Sequence, residues 1–133
     1  MTNASQALAE FAVGLSYDRI PAEVIERAKD CMIDTVGACV FGSQLPWTRT
    51  VIEYSQRNSA PGECSVFGTP IKVRAPFACL SNGAAAHAFE LDALVEPSVG
   101  IHPSAALAVP GLAPAQGRKM SGKALLSAIV AGF

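Results

Sequence analysis

Both histidines of the chain, His87 and His102, fall in the run A-H-A-F-E-L-D-A-L-V-E-P-S-V-G-I-H-P-S, with the carboxylates Glu90, Asp92 and Glu96 between them. Histidine is the side chain whose ordinary pKa places proton transfer near neutral pH. A carboxylate beside it orients the ring or serves as its partner acid or base. His87 and Glu90 are three apart and share a face if the helix continues that far. Glu90 and Asp92 fall on one side if the chain is extended there, and on different sides if it is helical. The linker Pro97–Gly100 is expected to turn the chain and bring His102 to a helix that opens at Pro103. The free N–H groups of such a helix start suit an anionic substrate such as a carboxylic acid.

Plainer roles stand beside these. His87 also reads as a helix-end cap or solvated side chain, His102 as a turn residue before proline, and Glu90 and Asp92 as solvent-facing charges. His87, Glu90, Asp92 and His102 also form a set of four candidate metal ligands. Recognised ligand patterns such as H-E-x-x-H are missing from the run, so no metal is expected.

The elements that must position these residues are mostly helical. Leu8, Phe11, Ala12 and Leu15 share one face of a helix expected over Ser5–Leu15. Pro21 suits the first position of a second helix reaching about Val40, whose buried stripe is Val24, Ile25, Ala28, Met32, Val36, Cys39 and Val40. The Gly37-Ala38 pair would let another helix approach closely. A third helix, Pro46–Arg57, is expected to turn Val51 and Tyr54 inward. Cys64–Phe67 and Ile71–Val73, around Gly68-Thr69-Pro70, read as a small hairpin ornamenting the edge of a helical body. A fourth helix, Ala75–Phe89, is rich in alanine and glycine and should pack tightly. A fifth, Pro103–Gln116, contains Pro110 and Pro114 and should kink or end early. Ser121 caps a last helix towards Phe133.

The 133 residues amount to one domain's worth of sequence. Half are hydrophobic and the formal net charge is -1, which argues for a buried globular segment without the cationic stripe that nucleic acid attracts. Neither a membrane-length apolar run nor a secretory leader is visible, so a cytoplasmic location is expected. Cys31, Cys39, Cys64 and Cys79 contain no C-x-x-C pair and match no common zinc spacing; they read as core thiols. The final helix stops without a cap or polar tail, as expected for the N-terminal part of a longer protein.

The motifs taken together resemble the N-terminal part of the MmgE/PrpD family. N-G-A-A-A-H-A-F-E-L-D, then H-P-S-A-A-L-A-V-P and S-G-K-A-L-L-S-A-I-V-A-G carry the resemblance. The earlier L-A-E-F-A-V-G-L, I-P-A-E-V-I-E-R-A-K-D-C-M-I-D-T-V-G-A and C-S-V-F-G-T-P extend it along essentially the whole chain. The resemblance implies the first part of that family's all-helical domain, incomplete here, with an α+β lid domain encoded further on. It implies cofactor-independent lyase or isomerase chemistry on a small di- or tricarboxylic acid, of the 2-methylcitrate dehydratase, cis-aconitate decarboxylase or iminodisuccinate epimerase type, commonly in a homodimer. His102, in the H-P-[SG] motif, is then the expected acid/base residue, with Asp92 and Glu90 as catalytic partners from H-x-x-[DE]-x-D. His87 and Ser104 are expected to bind substrate. Glu90 and Ala93 depart from the D-x-D-D run of many dehydratase- and decarboxylase-like members, and E-L-D-A-L looks more like the epimerase-like branch. A noncatalytic helical module or dimerisation fragment is the alternative function.

Overall fold

Prolines and capping side chains set most of the helix starts. The computed structural model describes residues 3–97 and 100–133, so Ser98 and Val99 of the expected turn lie outside the described residues. Helix α1 spans Ala4–Gly14, with the Asn3 side chain accepting from the Gln6 N–H. A short 3-10 turn, Tyr17–Arg19, leads to Pro21, which stands immediately before α2 (Ala22–Gly42). Pro46 is the first residue of α3 (Pro46–Asn58). The antiparallel strands β1 (Cys64–Ser65) and β2 (Lys72–Val73) follow, paired Cys64 to Val73 and Ser65 to Lys72. Helix α4 is Ala75–His87, and α6 (Gly122–Gly132) begins where the Ser121 hydroxyl accepts from the Ala124 N–H. The chain is mainly α with one small hairpin, as its patterning requires.

The expected kink in the fifth helix takes a specific form. Ser104–Ala108 is a π-helical turn running directly into α5 (Val109–Gly117), and the Val109 N–H reaches back to the Ser104 carbonyl. Pro110 has no N–H and its ring crowds the carbonyl four residues earlier, so widening the preceding turn relieves the clash. Pro114 leaves the Pro110 carbonyl without its helical donor. The Cys79 thiol takes that place, donating to Pro110 O at 3.2 Å, while Cys64 donates to Ala113 O at 3.0 Å. These thiols are free, and burial pushes that of Cys39 up to about 12, leaving it unreactive.

Helix α4 is the centre of the packing. Its small residues Ala78, Ala85 and Ala86 are buried, and α2, α3 and α5 all lie against it. The close approach of α2 occurs at Gly42, where a side chain would run into the Ala85 carbonyl; the expected contact at Gly37 does not form, because Gly37 faces outward. Met32 and Val36 pack partly buried against the core, whereas Val24 and Val40, expected in the stripe, are largely exposed. In α3 the inward face is Thr48, Ile52 and Ser55, and Tyr54 is 55% exposed. With small polar residues flanking Ile52, the buried face is shifted by one position from the one expected. Helix α1 buries none of its residues.

The hairpin is structural core rather than edge ornament. Cys64, Val66 and Val73 are buried with Ile52, Ala78 and Ala113. Gly68, with φ of 75°, turns the chain and lies against Ser43. Asn82 of α4 fixes the hairpin: its Oδ1 accepts from Phe67 N–H at 3.0 Å, and its Nδ2 donates to Ser65 O at 2.9 Å. Asn82→Ala strands both backbone groups, and urea unfolding should show a loss of about 2–4 kcal/mol with the helices retained.

Candidate active site

His87 is the last residue of α4, Asp92 lies in the following loop, and His102 precedes Pro103 at the next helical segment. Three contacts hold the turn between α4 and Asp92. The Trp47 indole donates to the Ala88 carbonyl at 3.2 Å, Phe89 packs edge-on to Phe41 with ring centres 5.7 Å apart, and Glu90 N–H donates to His87 O at 3.1 Å. Glu90 adopts a left-handed backbone with φ of 52°, which reverses the chain and sends Asp92 back towards the helix end. Across the loop, Val95 N–H donates to Ile101 O at 3.2 Å, bringing His102 to the same place.

The result is one carboxylate oxygen shared by two imidazoles. Asp92 Oδ1 is 3.1 Å from His87 Nδ1 in an aligned hydrogen bond and 3.2 Å from His102 Nδ1 without hydrogen-bond alignment. The rings themselves are 4.5 Å apart at 66°. The direction of the first bond follows the tautomer of His87. The Asp92 side chain is fully buried, that of His102 is 18% exposed and that of His87 46% exposed. Asp92 Oδ2 and His102 Nδ1 have no hydrogen-bond partner among the described residues. The group is therefore open to solvent at one edge and closed behind.

The structure thus assembles three of the expected site residues. Glu90 does not join them: its side chain is exposed, and what it brings to the site is its backbone turn. Ser104 is buried in the π-helical turn, its hydroxyl without a partner. Trp47, Phe41 and Phe89, which hold the α4 end, were not read from the sequence; their spacing carries no signal until α2, α3 and α4 are packed together.

The sequence comparisons bear on this arrangement. The MmgE/PrpD N-terminal domain matches residues 6–133. The chain belongs to the MmgE/PrpD family. Cis-aconitate decarboxylase of Aspergillus terreus is 30% identical over 132 residues, covering 95% of this chain and 26% of that protein. The human cis-aconitate decarboxylase is 32% identical over 125 residues, covering 90% of the chain and 26% of the relative. A cis-aconitate decarboxylase-like protein of Aspergillus oryzae is 30% identical, covering 98% of the chain and 28% of the relative. The chain spans about a quarter of the length of these MmgE/PrpD relatives, and no solved structure matches it.

The turn at Glu90 generates a stability prediction. A left-handed backbone disfavours residues with a Cβ by about 1–2 kcal/mol, and β-branched ones more. Glu90→Gly relieves that strain but loosens the unfolded chain, so its unfolding free energy should stay within about 1 kcal/mol of the parent. Glu90→Val should lower it by about 1–2 kcal/mol in urea titration.

Proposed function

We propose that the chain contributes the acid/base half of a cofactor-independent active site acting on a small di- or tricarboxylic acid. The reaction would move a proton at the carbon next to a carboxylate. The observation that carries this reading is the fully buried Asp92 carboxylate oxygen lying within 3.2 Å of both imidazoles at one solvent-reaching edge. His102 is the proton-transferring residue, Asp92 lies 3.2 Å from it as the neighbouring carboxylate, and His87 completes the wall that meets substrate. Glu90 positions Asp92 through its turn.

The names of the relatives favour the lyase branch, with decarboxylation as the specific reaction. There, loss of CO2 leaves an electron pair on carbon, and an imidazolium at His102 would return a proton to it. Dehydration and epimerisation share the proton step and differ in what leaves. Here E-L-D-A-L, with Ala93 in place of an aspartate, supports the epimerase-like outcome as the second reading. We place the opposite wall of the site in the family's lid domain, on chain beyond this segment. A homodimer fits the exposed Leu8, Phe11 and Val13 of α1, an apolar surface of the kind that partners cover. Among the described residues no helix is long and apolar enough to cross a membrane.

In the enzyme that carries this segment, His102→Ala should lower turnover on its carboxylic-acid substrate about 10² to 10⁴-fold with the fold retained. Asp92→Asn should have a comparable effect, and His87→Ala a smaller one. Cis-aconitate is the first substrate to test, with product identity separating decarboxylation from epimerisation. Parent-level turnover in His102→Ala would remove the assignment. Chelators should leave turnover unchanged, and loss restored by zinc or iron would instead make His87, Asp92 and His102 ligands of a required metal. The 133-residue chain alone should show no turnover, because substrate carboxylates would stay open to water.

A further inference from the structure

We propose that His87, Asp92 and His102 form a capture site for a divalent transition-metal ion of the zinc class, and that the captured ion acts as an antagonist of proton transfer. Their nitrogen and carboxylate donors all lie within 4.8 Å of one another. Tetrahedral zinc with bonds of about 2.0–2.1 Å spaces its ligand atoms about 3.3–3.4 Å apart. The two measured edges, 3.1 Å from His87 Nδ1 to Asp92 Oδ1 and 3.2 Å from His102 Nδ1 to the same oxygen, need only small adjustment.

Two further observations point to a ligand. Asp92 Oδ2 and His102 Nδ1 are buried without hydrogen-bond partners, an expensive state that a bound cation would relieve. His102 Nδ1 lies close to Asp92 Oδ1 yet is not aimed at it. An ion bound there would take the place of the His87–Asp92 hydrogen bond, while His102 has no such bond to give up. The His87 edge, 46% exposed, provides the way in, and the fourth position faces solvent, where water would complete the shell.

Binding requires both imidazoles to be neutral with their protons on Nε2, leaving the Nδ1 lone pairs for the ion. His102 in that state has no free lone pair with which to accept a proton, and its remaining N–H is a much weaker acid than an imidazolium. The antagonism, but not the binding, rests on the acid/base reading given above.

The test is cobalt(II) titration of the full-length protein that carries this segment, with zinc competition followed by calorimetry. One ion per chain is expected, with tetrahedral visible bands and no strong thiolate-to-cobalt absorption. Binding should be lost in Asp92→Asn and in His102→Ala, weakened in His87→Ala and unchanged in Glu96→Gln, with circular dichroism reporting the fold of each variant. His87 is half exposed, so His87→Ala keeps the test decisive if the buried substitutions unfold the chain. Failure to bind, thiolate absorption, or binding indifferent to His87→Ala would each overturn the site. In the full-length enzyme, zinc should abolish turnover and a chelator restore it. A rise in turnover with zinc would overturn the antagonism and the metal-free reading together, whereas an active enzyme that binds no metal would overturn the capture site alone.

Discussion

Close packing around α4 is the constraint on which the rest of the structure depends. Ala78, Ala85 and Ala86 keep the helix thin, and Gly42 lets α2 reach the Ala85 backbone. Gly83 keeps the Ala105 carbonyl of the π-helical turn near on another side. Interiors packed this tightly resist sliding, because a shift of one methylene either opens a void or makes a clash. His87 ends this helix. Its position is therefore set by backbone contacts at Ala85 and Gly83, and its side chain gains rigidity from the closely packed, alanine-rich end of the helix.

Asp92 imposes the second constraint. Moving a carboxylate fully out of water costs several kcal/mol, and the loss is offset only by charge or hydrogen-bond partners close at hand. Here those partners are two imidazoles from opposite ends of the loop. The His87 hydrogen bond ties Asp92 to the end of α4, and the approach of His102 to 3.2 Å brings the start of the π-helical turn beside it. The Val95–Ile101 backbone bond and the Trp47–Ala88 bond brace the loop where the carboxylate contacts do not reach.

Much of this was legible in the sequence where the signal is local. Pro21, Pro46, Ser121 and the Gly68 turn act on their own neighbours, and each element lies where those residues set it. The clustering of chemistry in 87–102 was legible as well, since both histidines and Asp92 meet there. Faces of helices were less so. The side of α3 that turns inward depends on which neighbours exist, and Thr48 and Ser55 are small enough to bury whereas Tyr54 is not. Periodicity alone favours the bulkier residue. Asn82 shows the same limit: an asparagine within an alanine-rich helix gives no hint of partners fifteen and seventeen residues away. In the sequence Glu90 stands out for its carboxylate, while its structural contribution is a backbone angle unusual for its residue type.

The shared oxygen gives the site its asymmetry. One carboxylate oxygen can accept from two directions, but His87 takes the aligned bond and leaves His102 close and misdirected. A ring held at short range without a fixed hydrogen bond can turn towards an incoming acid without first breaking a strong interaction. His87, already committed to Asp92, keeps the carboxylate from following. The less exposed histidine is thus the less constrained of the two, and the more exposed one holds the carboxylate behind it.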